Sequence, residues 1–183
     1  MFEATSIASV LTEMVTLAAP LTDGSFPWLT VTTFAPMIGV LALMLMPKEQ
    51  VGALRNTAFF FSIGTFVISL GILLNFDPGV AQATGEAFTF QLSEGPIDWI
   101  TSVGIHYAMG IDGISLWLVI LTTFLMPFVI FSTYSAVDEH VKEYMICLLF
   151  LETGMIGALV SLDVFLFYIF WEMMLIPMYL IIG

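Results

Sequence analysis

The sequence predicts an all-α polytopic membrane protein with five transmembrane helices and one small extramembrane hairpin. Three observations carry that prediction. The chain is 60% hydrophobic and only 10% charged, with a mean hydropathy of +1.05, whereas soluble domains carry about 25% charged residues. Its apolar residues gather in runs near the roughly 20 needed to cross the hydrocarbon of a bilayer. Short polar turns separate these runs, except for one long acidic connection.

The first 26 residues read as an extension of the membrane domain, which occupies 27–183. Ile7, Val10, Leu11, Met14 and Ala18 recur at helical spacing with Ser9, Thr12, Glu13 and Thr16 between them. That pattern predicts a helix lying in the membrane interface. No basic residue precedes Pro27, so the positive start of a secretory signal is missing.

The first span is predicted at 27–46, kinked at Pro36. A loop at 47–56 holds Lys48 and Arg55. The second span is 57–74, where Gly64 and Gly71 are expected to allow close helix contact. The connection 77–113 carries Asp77, Glu86, Glu94, Asp98 and Asp112 and no Lys or Arg. Phe88, Phe90 and Leu92 alternate with Thr89 and Gln91, which is strand periodicity. Ile105 and Tyr107 make a second strand, and Gly95-Pro96 is the predicted turn between them. Trp99 stands where an interfacial anchor belongs.

Asp112 caps the third span, 114–134, which contains Pro127. A polar loop at 135–143 holds Lys142. The fourth span, 144–162, presents Gly154, Gly157 and Ala158 as a small-residue packing face. Asp163 starts the fifth span, 164–183, whose interior Pro177 leaves the Met173 carbonyl without its usual donor. All three bases fall in the two loops on one side. The positive-inside rule puts those loops in the cytoplasm, and the N-terminus and the 77–113 loop outside. The run ends at Gly183 without a polar flank, which predicts a piece of a longer protein.

The remaining composition excludes several functions. Fifteen acids against three bases give a net charge of −12, a balance that argues against nucleic acid as a partner. Cys147 has no second cysteine to pair with and is read as a packing residue. No phosphate-binding glycine loop and no His/Cys ligand set is present, so neither a cofactor nor a metal is expected. His106 and His140 are read as solvated or capping residues.

Two acids interrupt the apolar runs. Glu172 lies nine residues past Asp163, roughly 13 Å down the axis and near the midplane of a core about 30 Å thick. Glu152 lies eleven residues before Asp163, at nearly the same depth on the neighbouring helix. An acid at a helix centre costs of order 3 kcal/mol and marks a functional site by default, usually one facing a bundle interior or wet cavity. Glu172 is therefore the first candidate for proton transfer and Glu152 a candidate relay. Two carboxylates sharing a low-dielectric slab resist ionising together. The spacing leaves open whether they face each other, and local hydrogen bonding of Glu152 is the alternative.

The segments HYAMGIDGISLWLVILTTFLMPFVI (106–130) and SLDVFLFYIFWEMMLIPMYLIIG (161–183) resemble the M subunit of bacterial NADH:quinone oxidoreductase, respiratory complex I, and its mitochondrial counterpart, subunit 4. The resemblance runs from about Pro27 to Gly183. It implies a fold similar to multisubunit cation/proton antiporter subunits, with inverted five-helix repeats and broken helices. It implies an enzyme subunit that translocates protons in the cell inner membrane, driven by quinone reduction elsewhere, with no redox chemistry in this chain. Its partners would be protons, the bilayer and the other membrane subunits of the complex. By the motif FWEMMLIP, Glu172 matches the family's essential membrane glutamate, whose lysine partner would lie beyond Gly183. Glu152 matches a commonly acidic position. The alternatives are a subunit of a multisubunit cation/proton antiporter or membrane-bound hydrogenase, and a non-catalytic scaffold.

Overall fold

Backbone polar groups in lipid must bond within their own segment, and a helix of about 20 residues does this across the whole core. The computed structural model describes residues 26–79, 90–100, 104–137 and 139–182. It has five helices long and apolar enough to cross a membrane: α1 (Trp28–Leu45), α2 (Val51–Asn75), α3 (Gly113–Ser132), α4 (Val141–Val160) and α5 (Val164–Ile182). An antiparallel hairpin, β1 (Gln91–Ile100) and β2 (Ile105–Ile111), lies between α2 and α3. The chain is thus a polytopic all-α membrane protein carrying one small hairpin. The predicted interfacial helix lies outside the described residues, as do Phe88 and Thr89 of the predicted strand.

Two helices begin earlier than predicted. α2 starts at Val51 and takes in Arg55; α4 starts at Val141 and takes in Lys142 and Glu143. Charged side chains near a helix end reach out to polar groups, so they need not terminate the helix. Lys142 Nζ donates to the Met44 and Met46 carbonyls at 2.9 and 2.7 Å, closing the C-terminal end of α1. Arg55 donates to the Val137 carbonyl and sits over the Tyr134 ring. Lys48 pairs with Glu143 at 2.7 Å. All three bases therefore gather at one end of the bundle, opposite the hairpin.

At the hairpin end, helix starts need acceptors for their free N–H groups. Asp112 caps α3 as expected: its Oδ1 accepts from Ser115 N at 2.6 Å, and its own N–H donates to Ser115 Oγ at 2.9 Å. Asp163 caps α5, accepting from Phe165 and Leu166 at 2.8 and 3.1 Å. Partial burial opposes ionisation of Asp112, but bonds from the Ser115 hydroxyl and the backbone outweigh it and hold the carboxyl below its ordinary value. The sign follows from that direction: the cap contributes in full above about pH 4 and is lost as pH falls through the lowered value. Asp112→Ala is expected to lower stability by about 1 kcal/mol at neutral pH. Denaturation in detergent checks this, and the gap from wild type should close on acidification.

α1 has no cap of its own, because Pro27 precedes it. Glu94 supplies one from 65 residues away. Its Oε1 accepts from Leu29 N at 2.6 Å, and its Oε2 accepts from Thr30 N at 3.0 Å and from the Thr30 hydroxyl. The Thr30 hydroxyl also shares a 2.7 Å hydrogen bond with Tyr107 OH. Burial raises the Tyr107 phenol, against the Thr30 bond and with help from the Glu94 charge, so the phenol keeps its proton. Glu94→Ala removes a charged acceptor from two backbone donors and should cost roughly 1.5–3 kcal/mol. A thermal-stability loss larger than that of Asp112→Ala is the expected result.

The hairpin turn differs from prediction. Gly95-Pro96 lies inside β1, which continues to Ile100 and pairs there with Ile105 of β2. Pro has no N–H for the ladder, and Gly95 takes φ +95°. The strand therefore absorbs the pair as a register irregularity, where Glu94 partners Met109 and Ile97 partners Tyr107. The buried side chains of β2, Met109 and Ile111, close one end of the bundle with Leu29, Ile72, Leu116 and Val160. Leu162 N donates to the Ala108 carbonyl at 2.9 Å, tying β2 to the α4–α5 turn. Trp99 is exposed on β1, and His106 is not free-standing but sits 3.2 Å from Asp98 across the ladder.

Candidate functional site: the two mid-span acids

α4 is the central helix, packed against α1, α2, α3 and α5, whereas α5 rests mainly on α4. Small residues make the α4–α5 contact. A Cβ on Gly154 would lie 2.6 Å from Met174 Cγ, and one on Gly157 would collide with the Phe170 ring. The predicted small-residue face is therefore real, and α5 covers it. The parallel expectation for α2 holds at Gly71, which lies under the Trp28 ring, and not at Gly64, whose Cβ would meet nothing within 4 Å.

These contacts orient the acids. At about 100° per residue, Glu152 lies roughly 170° around α4 from the midpoint of Gly154 and Gly157. By the same count, Glu172 lies roughly 180° around α5 from the midpoint of Phe170 and Met174. The two carboxylates share a depth but point away from the helix pair that carries them. The structure does not bring them together.

Their surroundings are opposite. Glu152 is fully buried, and among the described residues it is the one ionisable side chain in the interior. Glu172 is exposed, as are Tyr168, Trp171, Leu175, Ile176 and Tyr179 on the same helix. The expectation that Glu172 faces a bundle interior is not met within the described helices, because none of them covers that side of α5. Tyr168, one turn earlier, is its polar neighbour. Pro177 is buried on the other side, in common with Phe170.

Glu152 faces α1 and α2. Leu149, one turn before it, meets Gly39 of α1 and through it Phe61 of α2: a Cβ on Gly39 would lie 2.8 Å from each. The Ser62 hydroxyl of α2 faces the Glu152 carboxyl. Among the described residues neither Glu152 oxygen has a partner within hydrogen-bond distance, and the Ser62 and Thr33 hydroxyls are equally unpartnered. Each such buried group costs about 1–3 kcal/mol. The polar group that faces Glu152 is thus on another helix, while Thr153, its neighbour in sequence, turns its hydroxyl to the Leu149 carbonyl at 3.4 Å.

Sequence reasoning missed Ser62, Thr33 and Glu94. A signal for Ser62 was present: Leu54, Ala58, Ser62, Thr65, Ser69 and Ile72, the buried stripe of α2, recur at helical spacing. In a membrane helix the small polar residues mark the packed face, since lipid takes the large apolar ones. Ser69 uses this stripe to bond Thr123 of α3 at 2.8 Å. Among the described residues no group of three His, Cys, Asp or Glu side chains is arranged to hold a metal ion.

Comparison with known proteins gives these elements a lineage. Residues 87–158 match the family model described as NADH-ubiquinone oxidoreductase chain 4, amino terminus. NADH-quinone oxidoreductase subunit M of Rhodobacter capsulatus is 43% identical over 159 residues, covering 85% of this chain and 29% of the relative. NADH-ubiquinone oxidoreductase chain 4 of Chondrus crispus is 38% identical over 155 residues, covering 85% and 30%. Subunit M of Rickettsia typhi is 33% identical over 163 residues, covering 86% and 31%. The chain spans about 30% of the length of these relatives. Over this matched stretch the chain is similar to NADH-quinone oxidoreductase subunit M and to the amino-terminal part of NADH-ubiquinone oxidoreductase chain 4.

Proposed function

We propose that this chain is part of a proton-translocating, antiporter-like membrane subunit of NADH:quinone oxidoreductase, coupled to quinone reduction elsewhere in the complex. The observation that carries this reading is the similarity to subunit M and chain 4 relatives over 81–86% of the chain, joined to an acid at the centre of a membrane-spanning helix. Glu172 is the residue that takes up and releases the proton. An approaching cation favours its ionised form, and withdrawal of that cation favours the neutral form. The resemblance supplies the cation as a lysine of a later helix.

An acid exposed on the flank of α5 needs protein or water around it, not acyl chains. The relatives are more than three times as long as the matched region, and this reading assigns to that further length the cover for α5. The other membrane subunits of the complex and the bilayer are the partners. The basic end of the bundle, with Lys48, Arg55 and Lys142, faces the cytoplasm, and the hairpin faces outside.

The test uses membrane vesicles from cells lacking the gene. NADH-driven proton uptake should vanish and return with the full-length gene. Full uptake in its absence would overturn the assignment. Cation/proton exchange that runs without NADH and depends on the gene would support the antiporter instead.

A further inference from the structure

We propose that Glu152 and Ser62 form an internal water-binding site between α1, α2 and α4, and that it serves as a second proton stop on the far side of α4 from Glu172. The water site stands on geometry alone; its use by protons rests on the proposed function.

α1, α2 and α4 pack against one another, and among the described residues α4 and α2 bring unpartnered polar side chains, Glu152 and Ser62, face to face in the interior between them. Glu152 is 0% exposed, and so are Ser62 and Thr33. Buried polar groups in native proteins are bonded to protein or to ordered water, and a water needs two to four polar partners. The Glu152 carboxyl and the facing Ser62 hydroxyl stand too far apart for a full hydrogen bond and provide such partners.

The helix register places a further acceptor at the same depth. Gly39 and Leu149 are level, since they are in contact. α1 and α4 run antiparallel, so Pro36, three residues before Gly39, is level with Glu152, three residues after Leu149. Pro36 is buried and has no N–H to give to the Thr32 carbonyl. Thr33 lies about one turn further toward the hairpin. From Ser62, the buried hydroxyls of Thr65 and Ser69 continue in the same direction along α2, ending at Thr123 of α3. Thr65 donates to the Phe61 carbonyl at 3.0 Å, so its hydroxyl keeps accepting capacity toward the interior.

The experiment uses the intact membrane complex with the full-length subunit. A wild-type density map that resolves ordered water should show a molecule within hydrogen-bond distance of both the Glu152 carboxyl and Ser62 Oγ. An infrared water band sensitive to H2 18O should shift in Ser62→Ala and disappear in Glu152→Leu. Absence of that density, or a band unchanged in both variants, would overturn the water site; the wild-type map decides this even where a variant fails to assemble. Glu152→Gln should reduce NADH-driven proton uptake several-fold, where Glu172→Gln abolishes it. Full uptake by Glu152→Gln beside a null Glu172→Gln would overturn the second stop and leave the proposed function standing. Full uptake by Glu172→Gln would instead count against the proposed function and leave the water site intact.

Discussion

Glu172→Gln in the full-length subunit is expected to bring NADH-driven proton uptake to background while the complex still assembles. The change is nearly isosteric and keeps hydrogen-bonding capacity, but an amide neither gains nor loses a proton near neutral pH. Assembly should survive because Glu172 contributes nothing to the α4–α5 contact: the side chain is exposed, and Phe170 and Met174 make that contact from the other face. Glu172→Asp retains the titrating group on a shorter arm and should keep part of the uptake. Vesicle acidification measured beside the amount of assembled complex separates the two effects. Normal pumping by Glu172→Gln would show that the proton does not pass through this carboxyl.

The second large effect is structural. Gly157→Val should separate α4 from α5. Any Cβ at this position collides with the ring of Phe170, which is 4% exposed and packed in the same cluster as Ile156, Val160 and Leu166. A buried aromatic ring held on several sides cannot swing away, so the helices must move apart. Overpacking of this kind costs about 1–3 kcal/mol. α5 has little other support, resting on α4 and lightly on β2. Gly64→Ala is the matched control, because a Cβ there meets nothing within 4 Å. It should be neutral or slightly stabilising, since Ala is favoured over Gly in a helix by about 1 kcal/mol. Thermal unfolding of the detergent-solubilised complex reads both, and equal melting temperatures would remove the argument for a glycine-dependent contact.

These two predictions also separate what could be read early from what could not. The caps at Asp112 and Asp163 were legible because a cap is local: the acceptor and its donors lie within three residues. The glycine face of α4 was legible for a similar reason, as a spacing on one helix. Glu94 was not, since its donors at Leu29 and Thr30 are 65 and 64 residues distant. Gly95-Pro96 looked like a turn because that dipeptide usually is one, and the ladder tolerated it as an irregularity instead.

The acids are the sharpest case. In a soluble helix, the polar face points out, so periodicity tells an acid which way to face. In a membrane, lipid and protein core are both apolar, and that signal disappears. Sequence alone therefore determined the membrane class, the five spans, and the common depth of Glu152 and Glu172. Which acid is enclosed and which lies on an open flank was decided only by the way α1, α2 and α5 pack around α4. Depth follows from counting residues along one axis, whereas direction depends on where the neighbouring helices come to rest.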